Sequence, residues 1–230
     1  MMIKTIRPFL PVFLLGLMVA VSHLNADVII DNSTANGGFE SPSATGMQTT
    51  ADNWQAAIGL DQFQRLDNDP NTTGAYSMVI GTENSGEETK SGALQITDHV
   101  VGSDDLFTLT FDWAAAWAWD PGDQVNWRLF TTDDDSVSGT VSVISAGFVN
   151  GSTGGGVPLT WNRNVNVLSD GGTVLGASVG QKLMLEFTGS NNIGEFARVD
   201  NVNLTVIPEP SCFVLVGLAG LAFCVWRHRK

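Results

Sequence analysis

The feature that most constrains this chain is the alternation of apolar and polar residues in short runs. From residue 107 to residue 113 every second side chain is Phe, Leu or Trp, and the positions between them hold Thr or Asp. Residues 183–187 and 202–206 also have an apolar side chain at every second position. Because side chains on a β-strand point alternately to its two faces, this pattern predicts half-buried strands. Clusters of Gly, Asn, Asp and Ser separate the runs, and helical periodicity is nearly absent.

Ten strands are predicted from these runs. They are residues 28–30, 61–66, 75–80, 93–98, 106–113, 124–131, 137–145, 165–168, 182–188 and 197–206. So many short strands imply two packed sheets, and no fixed-period repeat points to a solenoid or propeller. The predicted fold is all-β, a two-sheet β-sandwich.

The negative net charge of the chain limits the classes of molecule that it is expected to bind. The chain carries 11 Lys and Arg against 24 Asp and Glu, a formal net charge of −13, and all but one of the acidic residues lie between Asp27 and Ile207. Such a surface repels polyphosphate and tolerates cations and neutral glycans. Nucleic acid is therefore excluded as an expected partner.

The N-terminal residues 1–26 have the three-part layout of a secretory signal peptide. Lys4 and Arg7 precede an apolar run over residues 9–21, and small residues follow. We expect export and cleavage after Ala26, although Leu24 is large for its place and the alternative Ala20-Val21-Ser22 fits the small-x-small rule of cleavage sites better. An uncleaved signal anchor is the alternative, although the run is shorter than the ~20 residues that usually span a bilayer.

The C-terminal residues 208–230 combine a motif, an apolar stretch and a basic end. The segment begins with Pro208, Glu209 and Pro210 and continues with apolar residues 212–226. The basic end contains Arg227, Arg229 and Lys230. This order predicts a short hydrophobic helix, a transient membrane anchor whose cations stay at the cytoplasmic leaflet and stop translocation.

This tail resembles the PEP-CTERM sorting signal of bacterial exopolysaccharide-associated proteins. The resemblance implies processing near the motif by an exosortase-type enzyme and delivery to the cell surface or extracellular matrix. An ordinary single-pass tail is the alternative. The predicted organisation is a signal peptide (1–26), a β-sandwich ectodomain (27–207) and a sorting segment (208–230). Both cysteines, Cys212 and Cys224, lie in the tail, so we expect no disulfide in the ectodomain.

Three further segments resemble galactose-binding-like jelly rolls, the group that includes many carbohydrate-binding modules. They are residues 36–40 (NGGFE) with the following Asn53-Trp54, residues 109–114 (LTFDWA) and residues 198–204 (RVDNVNL). The resemblance implies a jelly-roll sandwich. In carbohydrate-binding modules of this type a structural calcium ion commonly lies near the opening Phe-Glu and the closing Asp, which nominates Glu40 and Asp200 as ligands. The alternative places both residues in ordinary turns.

Two tryptophans are the candidates for sugar contact. Trp117 and Trp119 are two residues apart, and on a strand both would project to one side as a flat stacking platform. They also continue the parity of the apolar residues from 107 to 113, and the alanines between them allow close packing. Core burial and glycan stacking therefore both stay open.

Nothing in the sequence indicates catalysis. His99 is the only histidine between residues 27 and 207. A nucleophilic triad is therefore not expected, and a zinc site is not expected because no second histidine or cysteine is present there to complete it. Acidic pairs are too numerous to single out a glycosidase site, and the clusters Asp120/Asp123 and 133–135 fit polar turns. The expected function is non-enzymatic: a structural or adhesive role in exopolysaccharide at the cell surface. A carbohydrate-binding module is the alternative, and a glycoside hydrolase is the third and least favoured.

Overall fold

The computed structural model describes residues 26–84, 88–172, 174–189 and 194–207, and all regular structure within them is β-strand. The eleven strands are β1 (Asp27–Ile30), β2 (Arg65–Leu66), β3 (Ser77–Asn84), β4 (Glu88–Ser91), β5 (Ala93–Val100), β6 (Leu106–Ala116), β7 (Val125–Thr132), β8 (Val141–Val149), β9 (Asn162–Gly171), β10 (Lys182–Thr188) and β11 (Phe196–Ile207). Each predicted strand overlaps one of these. The short polar strand β4 was missed, because its sequence Glu-Thr-Lys-Ser has no apolar alternation.

The strands form two antiparallel sheets. The seven-stranded sheet has the order β2-β3-β11-β6-β9, with β4 beside β3 and β1 beside β11, and the four-stranded sheet has the order β5-β10-β7-β8. The predicted all-β, two-sheet architecture is confirmed.

The core lies between the sheets and follows from the alternation. Phe107, Leu109 and Phe111 of β6 are fully buried, and they pack with inward residues of β10 and β11 in one large cluster. The intervening Thr108 and Thr110 are half-buried on the other face of the sheet. Burial of apolar area at roughly 25 cal/mol per Å² makes this alternating face the main source of stability.

Strand β11 is central in the larger sheet and contains an irregularity. It pairs with β6 from Phe196 to Ile207, but the register shifts between Asp200 and Asn203, where Asn201 has a positive φ of 52°. The shift lets Val199 and Val202 both face the core, and it leaves Asp200 on the outer face of the sheet.

The predicted signal peptide and sorting segment lie outside the described residues, apart from Ala26. This includes the motif Pro208-Glu209-Pro210, the basic residues Arg227, Arg229 and Lys230, and both cysteines. Within the part of the chain that the structure describes, no helix is long and apolar enough to cross a membrane.

Candidate functional site

The outer face of the seven-stranded sheet is covered at one end by the connection between β1 and β3. Two buried arginines hold this connection, one from each face of the sheet. Arg65 pairs with the core residue Met78 and lies on the inner face, where its guanidinium donates to the carbonyl oxygens of Phe39 and Pro42. Arg198 lies on the outer face, where its guanidinium donates to Ser77 Oγ (3.0 Å) and Asn68 Oδ1 (2.7 Å). Burial lowers the pKa of Arg198 to about 10. On the outer face the cover is thus held by hydrogen bonds from Arg198.

Glu40 and Asp200 grip the same turn of this cover. Glu40 Oε1 accepts hydrogen bonds from the backbone N–H groups of Ala75 and Tyr76, both at 3.0 Å, and Asp200 Oδ2 accepts from Thr73 N at 2.9 Å. Gly74 lies between them with φ of +87°, and a Cβ there would come within 2.4 Å of Glu40 Oε1. A side chain at position 74 would be strained by the positive φ and would meet the Glu40 carboxylate. Glu40 and Asp200, which are far apart in sequence, therefore bind the same glycine-containing turn.

The carboxyl group of Asp200 is strongly perturbed. It is fully buried, and burial raises its pKa to about 7, with smaller raising contributions from the neighbouring carboxylates of Asp112 and Glu40. Hydrogen bonds from the N–H groups of Thr73 and Asn201 act in the opposite direction. Desolvation is therefore the main cause of the raised pKa of Asp200, and the negative charges of Asp112 and Glu40 add to it.

Asp112 belongs to the same cluster through Arg163. Arg163 Nη1 donates to Asp112 Oδ2 at 2.7 Å and to Thr73 Oγ1 at 3.0 Å. Asn201 Nδ2 donates to the same two oxygens, each at 3.0 Å. Neither Asp112 nor Arg163 was predicted as a site residue. The signals in the sequence were Asp112 on the polar face of the clearest alternating strand, and Arg163 as a cation in an acidic chain.

Glu40 and Asp200 bring carboxylate oxygens, the ligand type that calcium prefers, to one turn, and both carboxylates already accept backbone N–H bonds there. Calcium prefers carboxylate oxygens, and a divalent cation would offset the desolvation that raises the pKa of Asp200. Among the described residues, no group of three or more His, Cys, Asp or Glu side chains is placed to hold a metal together. Backbone carbonyls and water would have to complete the ligand set, which calcium accepts.

A polar groove of 360 Å³ continues this face beyond Asp200. It is lined by Asp31, Asn32, Ser33, Thr110, Asn164, Asn201, Val202 and Asn203. Asn32 Nδ2 donates to Asn201 Oδ1 across it. Amide and hydroxyl side chains both donate and accept hydrogen bonds, so the groove presents a surface suited to neutral hydroxyl groups.

Trp117 lies at the other end of the same face. Its side chain is 37% exposed and lines an apolar hollow of 410 Å³ together with Met47, Leu66, Val79 and Phe196. Phe196 contacts Trp117 edge-on with the ring centroids 6.2 Å apart, and the Arg198 guanidinium carbon is 5.4 Å from the Trp117 ring centroid. The ring is thus fixed in place while part of it stays open to solvent.

Trp119 is fully buried in the main core, so the two-tryptophan platform does not form. Strand β6 ends at Ala116, and a turn follows in which Trp119 N donates to Ala116 O at 3.1 Å and Ala118 has φ of 54°. Strand parity holds only within a strand. The turn therefore sends Trp119 inward beneath the glycine-rich loop 151–156, where Gly154 N donates to its carbonyl oxygen.

The other acidic and histidine candidates occupy turns and strand ends. Asp123 Oδ2 accepts from Asp120 N at 2.6 Å. Asp133 Oδ1 accepts from Thr140 N at 2.8 Å, which closes the turn between β7 and β8. His99 Nε2 lies 2.8 Å from Asp105 Oδ2, and both residues are away from the Asp200 cluster.

Comparison with known proteins gives a fold and no family. No family model matches the sequence, and no curated protein matches it. A cyclase from Fischerella sp. TAU shares 20% identity over 81% of this chain and 98% of its own, with a TM-score of 0.52. The Stig cyclase Fisc from Fischerella sp. TAU, bound to (3Z)-3-(1-methyl-2-pyrrolidinylidene)-3H-indole, shares 19% identity over 80% and 99%, also with a TM-score of 0.52.

A third structure is the CBM22-1 xylan-binding domain of Paenibacillus barcinonensis Xyn10C. It shares 13% identity over 79% of this chain and 96% of its own, with a TM-score of 0.45. The likeness to the cyclases establishes the fold as a jelly-roll β-sandwich. This class hosts both binding and catalysis, so the fold alone assigns neither to this chain.

Proposed function

We propose that this chain is an exported protein of the cell surface or extracellular matrix with a structural or adhesive role in exopolysaccharide. The role is non-catalytic. The observation that carries the proposal is the fixed, partly exposed ring of Trp117 on the same sheet face as the polar groove. An aromatic face and a row of amide and hydroxyl groups are the two kinds of contact that a neutral polysaccharide chain can use.

The test is binding of the full chain to the exopolysaccharide of its source organism. In affinity electrophoresis through gels containing this polymer, the parent should be retarded and Trp117→Ala should lose most of the retardation. Phe148→Ala is the matched control, because Phe148 is also an exposed aromatic (53%) but lies on the other sheet. Equal retardation of parent and Trp117→Ala would remove Trp117 from the proposal, and a parent that is not retarded would remove polysaccharide binding altogether.

A dedicated carbohydrate-binding module is the second candidate, and Trp117 is the observation that favours it. An adhesive protein needs only weak individual contacts that add up along a polymer. A module should instead hold a defined oligosaccharide at micromolar affinity, in the range of about −8 kcal/mol. Titration of the full chain with neutral oligosaccharides separates the two: saturable micromolar binding supports the module, and millimolar binding supports the adhesive role.

The sorting route is proposed from the tail. The motif, the apolar stretch and the basic end support transient anchoring in the membrane and processing by an exosortase-type enzyme near Pro208, Glu209 and Pro210. The intact mass of the native extracellular protein should correspond to a chain that ends close to this motif. A mature protein that retains Lys230 contradicts the proposal. Deletion of residues 227–230 should impair sorting, because these cations set the orientation of the anchor.

A structural calcium ion at Glu40 and Asp200 is part of the proposal. Its support is the shared grip of both carboxylates on the turn at residues 73–76 and the burial of Asp200. The ion would supply the positive charge that this pair of acids needs, and the two side chains would hold the cover against the closing strand β11.

A further inference from the structure

A second cleft opens at the side of the sandwich, between the edges of the two sheets. It has a volume of 430 Å³ and shares no residue with the polar groove or the Trp117 hollow. Its lining comes from β1, from β5 and from two turns, and it includes Asp27, Ile29, Thr34, Ala35, Gln95 and Asp98. This volume lies at the lower end of the range for small-molecule sites, ~300–1,000 Å³.

Strand β5 reverses the usual polarity of a sandwich strand at this cleft. Its inward positions after Ala93 are Gln95, Thr97 and His99, opposite the core residues of β10. Its outward residues Leu94 and Ile96 are apolar and pack with Phe130 and Met184 on the other face. Polar side chains that point between two sheets are costly to bury, so the reversal marks a place where the interior opens to a polar environment.

Gln95 carries the inference. Its side chain is 1% exposed, and its Nε2 donates to Ala35 O at 2.9 Å. Its Oε1 has no hydrogen-bond partner among the described residues. A buried acceptor without a donor destabilises the fold by the cost of its desolvation, so a ligand that brings a donor relieves that cost.

The neighbouring polar groups are already engaged. Thr97 Oγ1 donates to Leu183 O at 2.8 Å and accepts from His99 N at 3.2 Å. The His99 ring is held by Asp105, 2.8 Å away, and by edge contact with Phe107. These bonds fix the wall of the cleft and leave Gln95 Oε1 without a donor; because this oxygen is buried, the side chain must turn towards the cleft to accept from a ligand.

The charges around the cleft select against anions. Asp27 and Asp98 line it, Asp105 stands behind His99, and no Lys or Arg is among the lining residues. Lys182 Nζ lies 3.2 Å from the exposed Asp98 and is paired with it. Carboxylate or phosphate groups would therefore meet repulsion, while neutral hydroxyl groups would not. This charge balance is that of the uncleaved chain, because cleavage after Ala26 would add the α-ammonium group of Asp27 at this cleft.

We propose that this cleft binds one neutral, hydroxyl-rich sugar unit, with a ligand hydroxyl donating to Gln95 Oε1. The choice of a sugar rests on the proposed association with polysaccharide. The cleft holds a chain end or a single residue, whereas the outer face of the seven-stranded sheet runs along a polymer. The ligand contributes the donor that the protein omits, and the apolar walls at Ile29 and Ala35 cover its ring.

The test uses the full ¹⁵N-labelled chain in a detergent without a sugar headgroup. It is titrated with neutral monosaccharides (glucose, galactose, mannose, xylose and rhamnose) and with glucuronate and galacturonate. At least one neutral sugar should shift the Gln95 side-chain amide and the His99 backbone amide saturably, and the uronates should bind about tenfold more weakly or not at all. No saturable shift with any neutral sugar, or equal binding of the uronates, overturns the proposal.

The decisive variant is Gln95→Met, which removes the acceptor and keeps the length of the side chain. It should lose the sugar-induced shifts with an affinity loss of about tenfold or more, and a thermal melt should show that it is folded, because the gain from removing the unpaired carbonyl is offset by the loss of the bond to Ala35 O. Unchanged affinity in Gln95→Met contradicts the assignment. Gln124→Met is the matched control, since Gln124 does not line the cleft.

Thr34→Leu provides a second variant that does not touch the interior. Thr34 is exposed at the mouth of the cleft, so the larger side chain should block sugar entry even if Gln95→Met fails to fold. Persistent binding in Thr34→Leu overturns the proposal. Trp117→Ala should keep the monosaccharide shifts while it loses retardation by the polymer, which separates failure of this inference from failure of the proposed function.

Discussion

The outer faces of the two sheets are built in opposite ways. The seven-stranded sheet is covered by the connection from β1 to β3, and the charged side chains of Arg198 and Asp200 are fully buried beneath it. The four-stranded sheet is open along its edge strand β8, where Val143 and Phe148 are 42% and 53% exposed. An outward position on a strand is therefore no guide to burial, because a covering segment decides whether the side chain at that position is exposed to solvent.

The two faces also differ in how much their polar side chains depend on hydrogen-bond partners. On the covered face each buried charge needs hydrogen bonds from the cover, and loss of one partner leaves an expensive unpaired group. On the outer face of the four-stranded sheet the partly exposed Arg128 pairs with the buried Glu186, and only towards the edge strand β8 do apolar side chains such as Val143 and Phe148 lie in solvent. We expect substitutions on the covered side to be costly and those on the open edge to be nearly neutral.

The largest effect is expected at Trp119, beneath the glycine-rich loop. Trp119→Ala leaves a large cavity in the core and should cost ~3–5 kcal/mol of unfolding free energy. Trp117→Ala should cost much less, because part of that ring is already exposed. Urea denaturation of both variants checks the difference. Similar costs for the two tryptophans would contradict the burial contrast.

The next effect is the pH dependence of the covered face in the presence of chelator. The pKa of Asp200 is about 7 in the folded protein against 3.8 ordinarily, so between these values the folded state holds a proton that the unfolded state has lost. Unfolding free energy should therefore fall as pH rises from 4 to 7, by up to roughly 4 kcal/mol.

Asp200→Asn should flatten this slope, because the amide does not titrate. Asp104→Asn is the control, since Asp104 is exposed and its replacement should leave the slope in place. Thermal melts of the three proteins across this pH range in chelator measure the effect. Equal slopes in the parent and in Asp200→Asn contradict the burial argument for Asp200, because other carboxylates, such as Asp31 with its lowered pKa, contribute equally to both.

Calcium should add a smaller increment to the same region. At a hundredfold excess over the dissociation constant, binding to the folded state alone gives about 2.7 kcal/mol. The melting temperature should rise with calcium and fall with chelator in the parent, and Glu40→Ala should lose that response. The idea fails if chelation leaves the parent unchanged, or if Glu40→Ala responds as the parent does.

The smallest effect is expected on the open edge. Phe148→Ser should change the unfolding free energy by no more than about 0.5 kcal/mol, because its ring is mostly in solvent. Val143→Thr is the companion change on the same strand. Denaturation curves check both. A loss of more than a kcal/mol, of the order of a core substitution, would mean that this face is covered in solution.

The sequence determined the strands and the two-sheet sandwich, because the period of two is a local property that short runs display. It also placed Asp112 and the residues around it on the polar face of β6. The N-terminal apolar run and the C-terminal motif with its apolar stretch and basic end are also local sequence features. The proposals of export and of sorting rest on these features alone.

Only the tertiary structure decided which polar positions are buried and which meet. Glu40 and Asp200 were nominated by resemblance, but their shared turn at Gly74 and their link through Asp112 to Arg163 depend on where a long connection folds back. A turn after β6 separated Trp117 from Trp119, which parity had placed together. The inward polar row of β5 became meaningful only when its sheet edge was found beside β1. These outcomes arise from contacts distant in sequence, which a local alternation cannot encode.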